Sequence, residues 1–240
     1  MIEPAPADAA VLLVCEHASN FIPDRYQDLG LTAAQKVSHI AWDPGALGVA
    51  KALAAQLNAP LIAGGQSRLV YDLNRPPDAA SAIPDRSEIH EIPGNQNLSK
   101  VDRQERVAQV YAPFYAALVQ TLTERRAYLK VMVTLHSFTP VYRGEPRTVE
   151  LGILHGKDTQ FAQAMLAQTP ENCAFDVQLN QPYSAMDGVA HTLDEHGHKN
   201  GLLNVMLEIR NDLIATEAQQ QDWGERLAPW VLRTLQEVQA

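Results

Sequence analysis

The sequence has little cysteine, little positive charge and no long hydrophobic run. Two cysteines in 240 residues are too few for a disulfide scaffold, which favours a reducing, cytoplasmic setting. No apolar stretch approaches the ~20 residues that cross a bilayer, and the opening MIEPAPADAA lacks the basic region and apolar core of a signal peptide. Because 19 Lys and Arg stand against 28 Asp and Glu, the formal net charge is −9, and we expect neither a nucleic-acid nor a membrane partner.

Several catalytic motifs are also missing. The chain contains no G-x-S-x-G elbow, no Walker loop and no G-x-G-x-x-G, so serine-hydrolase, phosphoryl-transfer and dinucleotide-binding functions lack support. Neither H-E-x-x-H nor a cysteine-rich zinc pattern occurs, so spacing alone gives a weak metal signal. An acidic enzyme is the leading interpretation that remains.

The sequence does contain apolar segments that alternate between strand-like and helical patterns. With 46% apolar residues it can build a sizeable core, and we predict one layered α/β domain over residues 1–240 with a mostly parallel sheet and a flexible start at 1–10. The predicted strands are Val11–Cys15, Ala59–Gly64, Leu69–Leu73, Leu129–Leu135, Val149–Leu154, Ala174–Leu179 and Leu202–Ile209. The predicted helices are Gly45–Asn58, Leu98–Arg126 with a kink or break at Pro113, Thr159–Gln168 and Ala218–Gln239.

Polar side chains follow three of the predicted strands. Glu16 and His17 follow VLLVC, His136 follows LKVMVTL, and Glu208 lies at the end of GLLNVMLEI. Because ligand sites gather beyond the C-terminal ends of parallel strands, we expect these residues to meet at one edge of the sheet. Two imidazoles and a carboxylate suit Zn²⁺, although hydrogen-bonded loop histidines would give the same pattern.

Two further groups have alternative interpretations. Asp43 precedes Pro44 and a predicted helix, so it is either a helix cap or a third metal ligand. Arg68, Asn74 and Arg75 flank an apolar segment, and they either form surface ion pairs or bind a carboxylate through guanidinium and amide donors.

Five phrases, in this order along residues 11–214, resemble the N-formylglutamate amidohydrolase family: CEHASNFIP, HIAWDPGA, SRLVYDLNRP, TLHSFTP and LEIRNDLI. The resemblance implies a three-layer α/β fold like that of zinc carboxypeptidases and of the phosphorylase/hydrolase group, with a mostly parallel or mixed central sheet and helices on both faces. It also implies hydrolysis of a small-molecule N-acyl amino acid. For N-formyl-L-glutamate the products would be formate and L-glutamate, a last step in one route of histidine breakdown.

The resemblance also assigns roles to residues. It implies that His17, Asp43 and His136 bind Zn²⁺ or another divalent metal, with Glu16 as the alternative carboxylate ligand. Glu208 is the expected general base. Arg210 is expected to stabilise the oxyanion, with binding of the second carboxylate as its alternative role. The predicted substrate-binding residues are Asn74 and Arg75 for the α-carboxylate, Arg68 for the second carboxylate or the oxyanion, and Asn20 and Ser137.

The phrase CEHAS differs from the proline-histidine-serine-glycine phrase associated with the histidine-pathway enzymes, so the acyl group and the amino acid stay open. One alternative is a carboxypeptidase or a deacylase that acts on another N-acyl amino acid or on a peptide. Another is a non-catalytic protein that binds an acidic amino acid. The Pro- and Gly-rich segment from Arg75 to Gln96 is a candidate lid, and the sequence does not give the oligomeric state.

Overall fold

A seven-stranded sheet forms the centre of the computed structural model, which describes residues 2–3 and 5–240, with side chains from residue 5 onward. The strands of the sheet are β1 (Ile2–Glu3), β2 (Val11–Cys15), β3 (Leu61–Ala63), β4 (Val131–Phe138), β5 (Leu151–Leu154), β6 (Val177–Leu179) and β7 (Leu203–Arg210). Their order is β1-β3-β2-β4-β7-β5-β6. The pairs β1–β3 and β7–β5 are antiparallel, and the other four are parallel. The predicted mostly parallel or mixed sheet is therefore confirmed.

Helices cover both faces of this sheet, as expected. They are α1 (Ala33–Val37), α2 (Ala46–Leu57), α3 (Lys100–Arg106), α4 (Ala112–Glu124), α5 (Gln160–Ala167) and α6 (Glu217–Gln239). Short 3-10 segments span Asp24–Gly30, Ala80–Ala82, Pro93–Asn95, Ala185–Asp187, His198–Asn200 and Asn211–Ile214, and π turns span Val107–Tyr111 and Leu193–Gly197. Two hairpins lie outside the sheet, Arg86–Ser87 with His90–Glu91 and Val141–Tyr142 with Glu145–Pro146. None of the helices described is long and apolar enough to span a bilayer.

The alternation of side chains along the strands builds one core on each face of the sheet. Leu13 belongs to the core that α2, α5 and α6 cover, whereas Leu12 and Val14 belong to the core that α4 and the long loops cover. In α6, Trp223 and Leu227 recur at helical spacing and are buried against the first core. Each large apolar side chain buried in this way contributes about 1.5–3 kcal/mol to the free energy of folding.

Two parts of the secondary structure differ from the sequence-based expectation. The apolar segment Leu69–Leu73 is not a strand: Val70 and Tyr71 donate backbone hydrogen bonds to the carbonyl of Ser67, which coils the segment into a buried turn. The helix predicted over Leu98–Arg126 forms as one run from Lys100 to Glu124. The π turn at Val107–Tyr111 lies directly before α4 and accommodates Pro113, which has no backbone N–H to donate.

At the start of the chain, Ile2 and Glu3 pair with β3. The flexibility expected for residues 1–10 stays a prediction. Met1 and Pro4 lie outside the described residues.

Candidate metal and active site

The C-terminal ends of β2, β4 and β7 place polar side chains at one edge of the sheet. Glu208 is paired in register with His136, because β4 and β7 are parallel neighbours. β2 lies on the other side of β4, so Glu16 and His17 reach the same edge. The side chains are almost fully buried, with His17 and His136 each 3% exposed and Glu208 5% exposed. The fold thus brings together the residues that the strand-end argument selected.

His17, Asp43 and His136 form a buried group whose potential ligand atoms all lie within 4.8 Å of one another. Asp43 Oδ2 lies 3.3 Å from His17 Nδ1 and 2.9 Å from His136 Nδ1. Asp43 does not cap α2, since the N-cap residue is Gly45 and no side chain caps that helix. Gly45 allows the tight turn that aims Asp43 at the imidazoles: its φ is +82°, and a Cβ there would lie 2.4 Å from the backbone oxygen of Ile214.

A carboxylate lies next to the outer nitrogen of each imidazole. The contact is a hydrogen bond at His17 and an ion-pair contact at His136, whose Nε2 has no hydrogen-bond partner among the described residues. His17 Nε2 lies 2.7 Å from Asp72 Oδ1, and His136 Nε2 lies 3.1 Å from Glu16 Oε2. Histidines that bind metals usually have such a partner, which fixes the ring orientation and makes the inner nitrogen more basic. Glu16 therefore lies behind His136, away from Asp43, and the structure does not support it as the alternative ligand.

The charges of this cluster favour a bound cation. Three buried carboxylates, Glu16, Asp43 and Asp72, face one guanidinium, Arg68, which leaves a net formal charge of −2 when both imidazoles are neutral. Burial opposes protonation of His136, but Glu16 and Asp43 outweigh it and raise the pKa of His136 well above its usual value. The site thus takes up positive charge as protons. Two imidazoles and a carboxylate are also a common ligand set of catalytic Zn²⁺, so the residues fit a divalent metal.

Glu208 has the properties of a general base. Burial raises its pKa to about 7, and the negative charge of Asp43 adds to the shift while His136 opposes it. Its Oε2 atom is buried and has no hydrogen-bond partner among the described residues. A carboxylate with a pKa near neutral pH both accepts and returns a proton efficiently.

A cavity of about 560 Å³ opens over this edge of the sheet. His17, Asp43, His136 and Glu208 line it together with Arg68 and Arg75. Arg68 donates to Asp43 Oδ1 at 3.3 Å and to Asp72 Oδ2 at 2.8 Å, so it orients both carboxylates that contact His17. Arg75 donates to the carbonyl of Asn74, and no described carboxylate lies within 4.0 Å of its guanidinium. Its charge is available to a ligand.

Two predicted site residues lie elsewhere. Arg210 is not one of the described residues that line the cavity. Its guanidinium pairs instead with Glu150 at 3.2 Å and with Asp212 at 2.8 Å. These contacts do not support the expected oxyanion role of Arg210, which stays a prediction. Asn20 donates its side-chain amide to the carbonyl of Lys36 and ties the loop after β2 to the end of α1, so it is not placed to bind substrate.

Asn74 and Ser137 line the cavity, but their polar atoms form hydrogen bonds with other groups of the protein. The side chain of Asn74 donates to the carbonyl of Val189 and accepts from the N–H of Thr192. Ser137 donates its hydroxyl to the carbonyl of Pro44 at 2.8 Å, and its N–H donates to Asp43 at 3.3 Å. These contacts position the walls of the cavity, and direct binding of substrate by either residue stays a prediction.

Two residues of the site, Asp72 and Arg147, were not predicted from the sequence. Asp72 could have been predicted, because it lies in the family phrase SRLVYDLNRP, two residues before Asn74. Histidines that bind metals often have a carboxylate partner, and Asp72 is a candidate for that role. Arg147 lines the cavity from the segment after the second hairpin, and no spacing or motif marks it in the sequence.

The fold and the site define an α/β protein with a buried donor set suited to a divalent metal and a basic carboxylate, an arrangement found in metal-dependent hydrolases. The model of the N-formylglutamate amidohydrolase family matches residues 9–215, and the chain belongs to this family of amidohydrolases.

Two solved structures resemble the chain over its full length. The crystal structure of a gene product of Agrobacterium tumefaciens has 48% sequence identity and a TM-score of 0.96, covering 100% of this chain and 96% of the other. The crystal structure of N-formylglutamate amidohydrolase from Ralstonia eutropha JMP134 has 18% identity and a TM-score of 0.66, covering 100% of this chain and 97% of the other, and at that identity the likeness concerns the fold. No curated protein matches the chain.

Proposed function

We propose that this chain is a metal-dependent amidohydrolase that cleaves the amide bond of an N-acyl amino acid, with N-formyl-L-glutamate as the first substrate to test. The observation that carries the proposal is the buried His17–Asp43–His136 group beside Glu208, whose pKa is raised to about 7. Membership of the amidohydrolase family supports the same reaction class. The proposal treats residues 1–240 as one catalytic domain that acts in the cytoplasm.

His17, Asp43 and His136 would hold the metal, for which Zn²⁺ is the first choice and another divalent ion the alternative. A divalent metal at such a site polarises a carbonyl oxygen and lowers the pKa of water. Asp72 and Glu16 keep the two imidazole rings oriented, and the contacts in the structure support this role.

Glu208 removes a proton from the water that attacks the acyl carbon and then delivers this proton to the nitrogen of the departing amino acid. Arg75 binds the α-carboxylate, because it lines the cavity and has no carboxylate partner among the described residues. Holding this carboxylate places the acyl group next to Glu208. In the proposed reaction N-formyl-L-glutamate gives formate and L-glutamate, which would complete one route of histidine breakdown.

Metal analysis combined with a formate-release assay tests the proposal. We expect about one divalent ion per chain in purified protein, and loss of activity on chelation with recovery on addition of Zn²⁺. Glu208→Gln should keep the metal and lower kcat at least about 100-fold, because it removes the proton acceptor. Glu237→Gln, at an exposed position in α6, is the matched control and should keep full activity.

Formate release by chelated protein at the rate of untreated protein would refute the metal-dependent mechanism. Normal turnover by Glu208→Gln would remove Glu208 as the base. Hydrolysis of other N-acyl amino acids in place of N-formyl-L-glutamate would keep the reaction class and correct the substrate.

A further inference from the structure

Arg147 occupies an aromatic recess in the wall of the cavity. Its guanidinium carbon lies 4.5 Å from the ring centre of Tyr142, 4.9 Å from that of Tyr183 and 5.6 Å from that of Phe138. Such rings attract the cation through their faces and restrict its motion, leaving its N–H edge as the polar surface. The side chain is half-buried and lines the same cavity as Glu208.

The backbone at Arg147 is also fixed. Its N–H donates to the carbonyl of Pro140 at 2.8 Å, and its own carbonyl accepts from Arg210 at 3.3 Å. Arg210 is itself held by Glu150 and Asp212. Both carboxylates are therefore paired with Arg210, and Arg210 in turn fixes the backbone of Arg147.

The charge of Arg147 has no counterion among the side chains that the structure describes. Among residues 5–240, no carboxylate lies within 4.0 Å of its guanidinium, in contrast to Arg68 and Arg210, which each pair with two. The side chain donates two hydrogen bonds within the described residues, to Tyr183 Oη at 3.1 Å and to the carbonyl of Thr139 at 3.5 Å, and both come from Nη1. The Nη2 and Nε donors remain for a ligand, and they form the fork that binds a carboxylate through two hydrogen bonds.

We propose that Arg147 binds the side-chain carboxylate of the substrate and makes the site selective for N-acylated dicarboxylic amino acids. Two arginines of the cavity, Arg75 and Arg147, have no carboxylate partner within the described part of the chain, and a dicarboxylic substrate has two carboxylates. Arg75 takes the α-carboxylate, and Arg147 takes the second one, a role that the sequence had suggested for Arg68 or Arg210. This inference rests on the proposed function, because it assigns a specificity to that same site.

Comparison of a charged substrate with a neutral one of the same shape tests the role of Arg147. The probes are N-formyl-L-glutamate and N-formyl-L-glutamine, hydrolysed by metal-loaded wild type and by Arg147→Gln. In wild type we expect kcat/KM to be higher for the glutamate compound. In Arg147→Gln we expect kcat/KM for the glutamate compound to fall about 10- to 100-fold, mainly through KM, since an ionic hydrogen bond made equally in the ground and transition states is lost. For the glutamine compound the change should be less than about threefold.

Two further variants separate charge recognition from damage to the fold. Arg143→Gln is the matched control, because Arg143 also lies over the ring of Tyr142, at 5.4 Å from its centre, but is exposed and is not among the described residues that line the cavity. It should keep the preference of wild type. Arg147→Lys keeps the charge without the fork and should recover part of the preference. An unchanged glutamate-to-glutamine ratio in Arg147→Gln, or an equal loss for both substrates, would overturn the proposal.

Binding measurements distinguish this proposal from the proposed function. If wild type hydrolyses neither compound, the hydrolase proposal in this form fails, and calorimetric titration with the same two compounds decides on Arg147. Binding of the glutamate compound that is at least about tenfold tighter to wild type than to Arg147→Gln would support the assignment without catalysis. Equal binding, or none, would overturn it as well.

Discussion

Ionisation of Glu208 should destabilise the metal-free protein as the pH rises. The pKa of this buried carboxyl is raised from 4.5 to about 7, so the folded chain binds the proton more tightly than the unfolded chain does. The stability associated with the protonated group is fully present below pH ~4.5 and is lost as the pH rises through ~7. A shift of ~2.5 pKa units corresponds to about 3 kcal/mol of unfolding free energy.

Urea denaturation of chelated protein between pH 5 and pH 8, followed by tryptophan fluorescence, measures this effect. Gln is a neutral substitute for the protonated carboxyl, so the difference in unfolding free energy between Glu208→Gln and wild type isolates the ionisation of Glu208. This difference should grow with pH in favour of the variant, and most of the ~3 kcal/mol should develop between pH 5 and pH 8. The control Glu237→Gln should run parallel to wild type.

A difference between wild type and Glu208→Gln that stays constant with pH would show that Glu208 ionises normally in the fold. The base would then be fully ionised far below neutral pH, and the argument that burial tunes it for proton transfer would be wrong. A difference that grows with falling pH would reverse the assigned direction of the shift.

Four other predictions follow from the contacts of the site. Asp72→Asn should weaken metal binding about 10- to 100-fold in a chelator competition, because it removes the charged partner of His17. Arg210→Met should lower kcat for N-formyl-L-glutamine by less than about threefold, whereas loss of an oxyanion donor would lower it at least about 100-fold. Arg106→Leu should lower the unfolding free energy by about 3 kcal/mol in urea melts, since Arg106 donates buried hydrogen bonds to the carbonyls of Val70 and Gly94. Metal titration of chelated protein in weak buffer should release protons, because neighbouring carboxylates raise the pKa values of both imidazoles, His17 and His136, in the free site; binding without proton release would contradict this.

The sequence predicted the layout of the site because the ends of parallel strands follow a general rule. Continuous apolar runs marked β2, β4 and β7, and the polar residues that end these runs had to emerge together once the strands were parallel neighbours. His17, His136 and Glu208 were selected in this way. Asp43 needed the family resemblance as well, since its position before Pro44 equally suits a helix cap.

The remaining contacts depend on loops whose paths a local pattern does not specify. Leu69–Leu73 has the composition of a strand, because a buried turn requires the same apolar residues as a buried strand. The arginines were also hard to assign from a local pattern. Arg210 follows a predicted strand and was expected to be catalytic, but it pairs with Glu150, directly before β5, and with Asp212, just after β7. Arg147 lies in a polar loop and looked unremarkable, yet the hairpin and Tyr183 enclose it in the cavity.

The groups proposed for hydrolysis and the group proposed for substrate specificity come from different segments of the chain. Arg68, Asp72 and Arg75 all come from the buried turn at 67–75, which is tied down where Ser67 donates to the carbonyl of Ala41. A shift of this turn would therefore disturb the support of the proposed metal site and the proposed binding of the α-carboxylate together. Arg147 comes from a different segment, whose backbone accepts a hydrogen bond from Arg210 outside the cavity. Substitutions around Arg147 can thus change which side chain the enzyme accepts while the groups that carry out hydrolysis keep their positions.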